Sequence, residues 1–149
     1  MSFAIHFFDE PPIQDLTDDG QPLFLAHGRL IAGDYWENFY ASLDEWTISQ
    51  YESQWREAVQ RTVDGAGKSA LIVNYASPER GGHLEWWPMY RDGDSVFLQD
   101  HLLFFSQLQV PFSPDHPCRS LRDRQVLSED GAPISEWCVD MDDLRQFLR

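Results

Sequence analysis

The chain has 149 residues, 42% hydrophobic and 14% aromatic, with 25 acidic against 11 basic side chains and a formal net charge of −14. Such a length and composition suit one folded domain, residues 1–149, with a sizeable core, and exclude disorder throughout. The charge argues against nucleic acid or anionic membrane as partner, since it repels their phosphates, and favours a basic macromolecule or simple solubility.

Residues 3 to 8 read as a short strand, and nothing before them resembles the basic and apolar regions of a secretory signal, so a cytoplasmic protein is expected. No run of about 18 apolar residues is present to span a bilayer. Pro11-Pro12 and Asp18-Asp19-Gly20 mark a loop. Pro22 to Ala32 is a second extended piece, interrupted at Gly28 and ended by Gly33. Behind Asp34 as a candidate N-cap, Tyr35, Trp36, Phe39, Tyr40 and Leu43 recur at helical spacing, which predicts a short helix.

The next segment carries the clearest helix signal. Thr47 and Gln50 have the spacing of a capping box, and Trp46 and Tyr51 that of a hydrophobic staple. Ile48, Tyr51, Trp55, Val59 and Thr62 form one apolar stripe, and Gly65 is placed as the C′ residue. Ser69 to Ala76 reads as a strand leading into a central hairpin at about residues 84–105. A two-residue type I′ turn on Asp92-Gly93 pairs Arg91 with Asp94; a three-residue loop through Asp94 shifts that register by one. Both hairpin faces are largely apolar, so both should be covered, and Pro88 predicts a bulge. Pro111, Pro114 and Pro117 mark a loop. A second hairpin, Arg122 to Ser128 against Ile134 to Asp140, and a final helix capped by Asp140 or Asp142 complete the chain. A mostly antiparallel sheet with helices packed on it is an α+β fold.

Catalytic chemistry is not visible. His83-x-Glu85 with Pro117-Cys118 approaches the zinc deaminase pattern, but Leu121 stands where the second cysteine is required. The five histidines are scattered, phosphate-binding loops are lacking, and adjacent acids such as Asp142-Asp143 read as solvated faces. Arg119, Arg122 and Arg124 read as balancing nearby acids. Cys118 and Cys138 read as buried thiols. We therefore expect no catalytic residue, no metal site and no cofactor.

Several stretches carry a family resemblance: Gln54-Trp55, Tyr90-Arg91-x-Gly93-Asp94-x-Val96-Phe97, Gln99 with Leu102-Leu103-Phe104, Pro111-Phe112, and Ile134-Ser135-Glu136-Trp137 before the terminal helix. These resemble one family of contact-dependent growth inhibition (CDI) immunity proteins, over roughly residues 46 to 148. The resemblance implies a small cytoplasmic protein that binds and neutralises the toxic C-terminal domain of a cell-surface effector, often a nuclease. It carries over no binding residue. Charge supplies the candidates instead. Residues 1 to 55 hold ten acids against one base, Arg29, so Asp15, Asp18, Asp19, Asp34, Glu37, Asp44 and Glu45 are expected to meet a basic toxin domain. The alternatives are an acidic module for another partner, an immunity protein of a different secretion system, or a small enzyme built from scattered carboxylates and histidines.

Overall fold

A computed structural model describes residues 2–149. It shows an α+β fold of two antiparallel sheets and two helices. The first sheet is built on β3 (Pro22–Ala32), an uninterrupted strand whose Ala26, Gly28, Leu30 and Ala32 turn inward and whose His27, Arg29 and Ile31 turn outward. Along one edge lie β1 (Phe3–Phe7) and then β2 (Ile13–Leu16), paired end to end with its two halves. Along the other lies β4 (Tyr35–Ser42). Gly28 does not break β3. It is there because a Cβ would sit 2.5 Å from the Phe39 ring and 2.7 Å from the His6 carbonyl oxygen.

The helix expected after Asp34 is instead β4. Its aromatic positions fit two periods, and tertiary pairing with β3 selects the strand, in which Phe39 and Ala41 are buried while Trp36 and Tyr40 face water. A two-residue turn, Gly33-Asp34 with Gly33 at φ 65°, makes the connection. The following helix, α1 (Ile48–Val63), is as expected. Thr47 and Gln50 form both capping-box bonds, the Trp46 and Tyr51 rings meet at 5.1 Å, and Gly65 follows the Asp64 C-cap.

In the second sheet, β5 (Lys68–Asn74) is buried on both faces and pairs with β6 (His83–Asp92). The outer edge of β5 is covered by α1. The Gln54 amide donates to the Ala70 carbonyl and accepts from the Ile72 N–H, each at 2.8 Å, and the Trp55 indole donates to the Ile72 carbonyl at 2.7 Å. A sheet edge that would otherwise be free is thus closed by two adjacent side chains.

The central hairpin turns one residue later than expected. Asp92 pairs with Ser95 across Gly93-Asp94, and only Gly93 has positive φ, the sign pattern of a II′ rather than a I′ turn. Arg91 therefore pairs with Val96, a shift of two from Asp94, so each side chain keeps its expected face. Pro88 produces a break rather than a bulge. It accepts from the Gln99 N–H at 3.0 Å but has no N–H to return, so the outgoing chain divides into β7 (Ser95–Leu98) and β8 (His101–Phe104) in one register with β6. The bulge lies in β5, between Ile72 and Asn74.

The second expected hairpin is reduced to its tip, a bridge between Leu127 and Pro133. Its return segment becomes β9 (Trp137–Asp140), which pairs with β7. Asp140 then caps α2 (Met141–Leu148) through a capping box with Asp143. The two sheets and both helices share one hydrophobic core, in which Trp87 and Trp137 meet Tyr35 across the sheets. Cys118 and Cys138 are free thiols, half-buried rather than buried.

Candidate protein-binding surfaces

The seven acids expected at an interface fall in separate places. Asp15 lies on β2, and Asp18 and Asp19 on the β2–β3 turn, all exposed. Asp34 is exposed on the β3–β4 turn, at the other end of the eleven-residue β3, about 35 Å away at strand rise. Asp44 and Glu45 are engaged within the molecule. Asp44 pairs with Arg80 at 2.8 Å, and Glu45 accepts the Ser77 N–H at 2.7 Å, so both tie the start of α1 to the β5–β6 loop.

Glu37 turns toward the core side of β4 and accepts the Tyr35 hydroxyl at 2.9 Å. Desolvation and then that bond push the Tyr35 pKa up to about 12. Near Glu37 lie Glu85 on β6 and Asp100, at the break between β7 and β8. Loss of water around the carboxyl, then the charges of Glu85 and Glu37, push the Asp100 pKa up to about 7. Burial raises Glu85 as well. Such a cluster can retain a proton near neutrality. Among the described residues, no group of His, Cys, Asp and Glu is arranged to hold a metal ion.

Sequence reasoning missed two surfaces. One is a groove of about 510 Å³ on the face of the second sheet that carries Trp86, Pro88 and Tyr90, bordered by Leu102, Phe104 and Val110. Its buried floor residue Gln99 already donates to the Gln125 carbonyl and to Glu136 and is bonded to His101. His101 is held below the usual histidine pKa by burial and then by Arg122. Of the lining groups, His101 is bonded to Gln99 rather than to Ser120. Of the three arginines expected to balance acids, Arg124 does so, in a two-pronged pair with Glu136. Arg119 and Arg122 line the groove, and neither forms an ion pair among the described residues. The other surface is the outer face of the first sheet, where Trp36 and Tyr40 are 55% and 47% exposed. Reading residues 34 to 43 as a helix concealed it. The dipeptide Gly33-Asp34, identical to the turn at Gly93-Asp94, was the signal for it.

The resemblance residues are largely scaffold. Gln54 and Trp55 close the β5 edge, Arg91 donates to the Thr62 carbonyl at the end of α1, Glu136 holds Arg124 and Gln99, and Trp137 stacks on Tyr35 at 4.1 Å.

Residues 41–147 match the model of a protein family described as the CdiI N-terminal domain. The chain is 26% identical over 118 residues to the immunity protein CdiI of Enterobacter cloacae subsp. cloacae, across 79% of this chain and 81% of the relative. A chain of the solved CdiA-CT/CdiI toxin and immunity complex from Enterobacter cloacae has the same fold, with a TM-score of 0.84 and 25% identity over 98% of this chain and 95% of that one. The acidic first forty residues lie outside the family match but inside the shared fold.

Proposed function

The chain belongs to the CdiI N-terminal domain family, and from that premise we propose that it is a cytoplasmic CDI immunity protein that binds and neutralises the toxic C-terminal domain of an effector. The observation that carries this reading is the likeness, over nearly the whole of both chains, to a chain of a toxin and immunity complex. The toxin is proposed to be a basic nuclease. A nuclease domain presents cations to phosphates, and a protein of −14 can occupy or shadow that surface and exclude the nucleic acid. The protein works by binding rather than by catalysis, as one immunity-type domain. Asp15, Asp18, Asp19 and Asp34 are the exposed acids best placed to meet the toxin, whereas Glu37, Asp44 and Glu45 are engaged with Tyr35, Arg80 and the Ser77 N–H within the molecule.

The test is co-expression with the C-terminal toxin domain of a CDI effector from the same genome. That domain alone should arrest growth, and this chain should restore it and co-purify with the domain. Growth arrest that persists, with no complex on a sizing column, would refute the proposal.

A further inference from the structure

An antiparallel sheet with one face on the core normally shows polar side chains on the other. The outer face of the first sheet departs from this. Its half-exposed Trp36 and Tyr40 stand on β4, four residues and about 13 Å apart. Between them runs a ladder of stacked groups. The Arg29 guanidinium lies 4.1 Å from the Trp36 ring centre and 5.3 Å from that of Phe8, and its Nε donates to Asn38 Oδ1 at 2.8 Å. Next to it the His27 ring is 4.7 Å from Phe8 and stacks on Tyr40 at 4.7 Å and 12°. Glu10 holds His27 Nδ1 at 2.9 Å. Farther along the same face, on β2, Ile13 is 45% exposed.

Trp, Tyr and Arg are the side chains most often found at the energetic centres of protein interfaces. Here they are held in place before any partner arrives, which lowers the entropy lost on binding. Around them the charge has one sign: Asp9, Glu10, Asp15 and Asp34 are exposed, and Arg29 is the only base among residues 1 to 55. A second copy of this chain, also at −14, is repelled. The face is about 35 Å long and three strands wide, which with its rim is of the order of the ~800 Å² per partner of a standard interface.

Resting on the immunity reading, we infer that this outer face is where the toxin docks, and that it fits a cationic protein surface with an apolar recess for Trp36 and Tyr40. The aromatic ladder provides the hold, and the acids at its rim and on the β2–β3 turn provide steering.

The experiment titrates the purified C-terminal toxin domain of a CDI effector from the same genome into the parent, Trp36→Ala, Tyr40→Ala and the groove variant Leu102→Ser/Phe104→Ser, with urea unfolding of each protein alone. Trp36→Ala and Tyr40→Ala should each raise the Kd roughly thirty-fold while their unfolding midpoints stay with the parent's. The groove variant should bind as the parent does. The two ladder positions contact different neighbours, so one can report if the other variant fails to fold. Tight binding by the parent with both ladder variants within about twofold of it overturns this inference and leaves the immunity reading standing. Loss confined to the groove variant overturns it too and places the toxin on the second sheet. No binding by the parent refutes the immunity reading and this surface with it.

Discussion

Trp55 connects helix, strand and core in one side chain. It is 1% exposed, its ring lies 4.9 Å from Phe7 and 5.8 Å from Phe39, and its indole N–H satisfies the Ile72 carbonyl on the edge of β5. Trp55→Ala should lower unfolding free energy in urea by about 3–5 kcal/mol, the range for emptying a large aromatic site. A loss below about 1 kcal/mol would remove Trp55 from the core. Asp100 is the residue whose titration matters most. Its folded pKa, about 7, lies above its ordinary value, so the native state binds the extra proton and stability from this group falls as pH rises from about 4 to about 7. Glu85 acts in the same sense, whereas His101, held neutral, loses stability as pH falls through the ordinary histidine range. Comparing Asp100→Asn with the parent reads the titration of the carboxylate cluster that Asp100 forms with Glu85 and Glu37. The two should be closest near pH 4, and the variant should gain on the parent toward pH 8. A difference that does not change with pH would show that Asp100 titrates normally.

At the scale of elements, the β2–β3 hairpin and the segment leading into α1 carry acids of different kinds. Asp15, Asp18 and Asp19 sit exposed on the hairpin and lack a basic partner among the described residues. Replacing the three by Asn should slow toxin association at low salt and leave stability within about 1 kcal/mol, because exposed charges contribute little to folding. Unchanged association rates would assign those acids to solubility. Glu45 is the contrasting case, since it caps the Ser77 N–H at 2.7 Å. Glu45→Ala should cost about 1–3 kcal/mol through that unpaired donor and leave toxin association unaltered. A variant as stable as the parent but slow to bind would transfer Glu45 to the interface.

At the scale of the whole molecule, the zinc deaminase-like residues are the nearest approach to a catalytic pattern in the sequence. The zinc deaminase pattern fails at Leu121, which is buried, and Cys118 is taken up in contacts with Arg61 and the Lys68 carbonyl. Elemental analysis of the purified protein should find no stoichiometric zinc or other transition metal. Tightly held metal would reopen the enzyme reading. Among the described residues, no helix is long and apolar enough to cross a membrane.

Local signals determined much of this fold. The capping box at Thr47, the staple of Trp46 on Tyr51, the stop at Gly65 and the Asp140 cap depend on neighbours in sequence, and all are formed. The scaffold residues of the resemblance, Gln54-Trp55 and Ile134 to Trp137 among them, likewise indicated the CdiI N-terminal domain family. Tertiary structure decided the rest. Residues 35 to 42 fit a helical and an alternating period alike, and only pairing with β3 made them a strand and set Trp36 and Tyr40 in water. Pro88 announced a defect in the sheet, but which neighbouring strand would break depended on which side its missing N–H faced. The acids counted as one group along the chain became a trio on the β2–β3 hairpin, a lone Asp34 at the far end of β3, Glu37 bonded to Tyr35 on the core side of β4, and two internal braces. The reason is that a strand of eleven residues separates its ends and folding brings Arg80 and the Ser77 N–H to meet Asp44 and Glu45. A sequence states which charges exist, whereas the distance between them in space, and hence the surface they form, is a property of the fold.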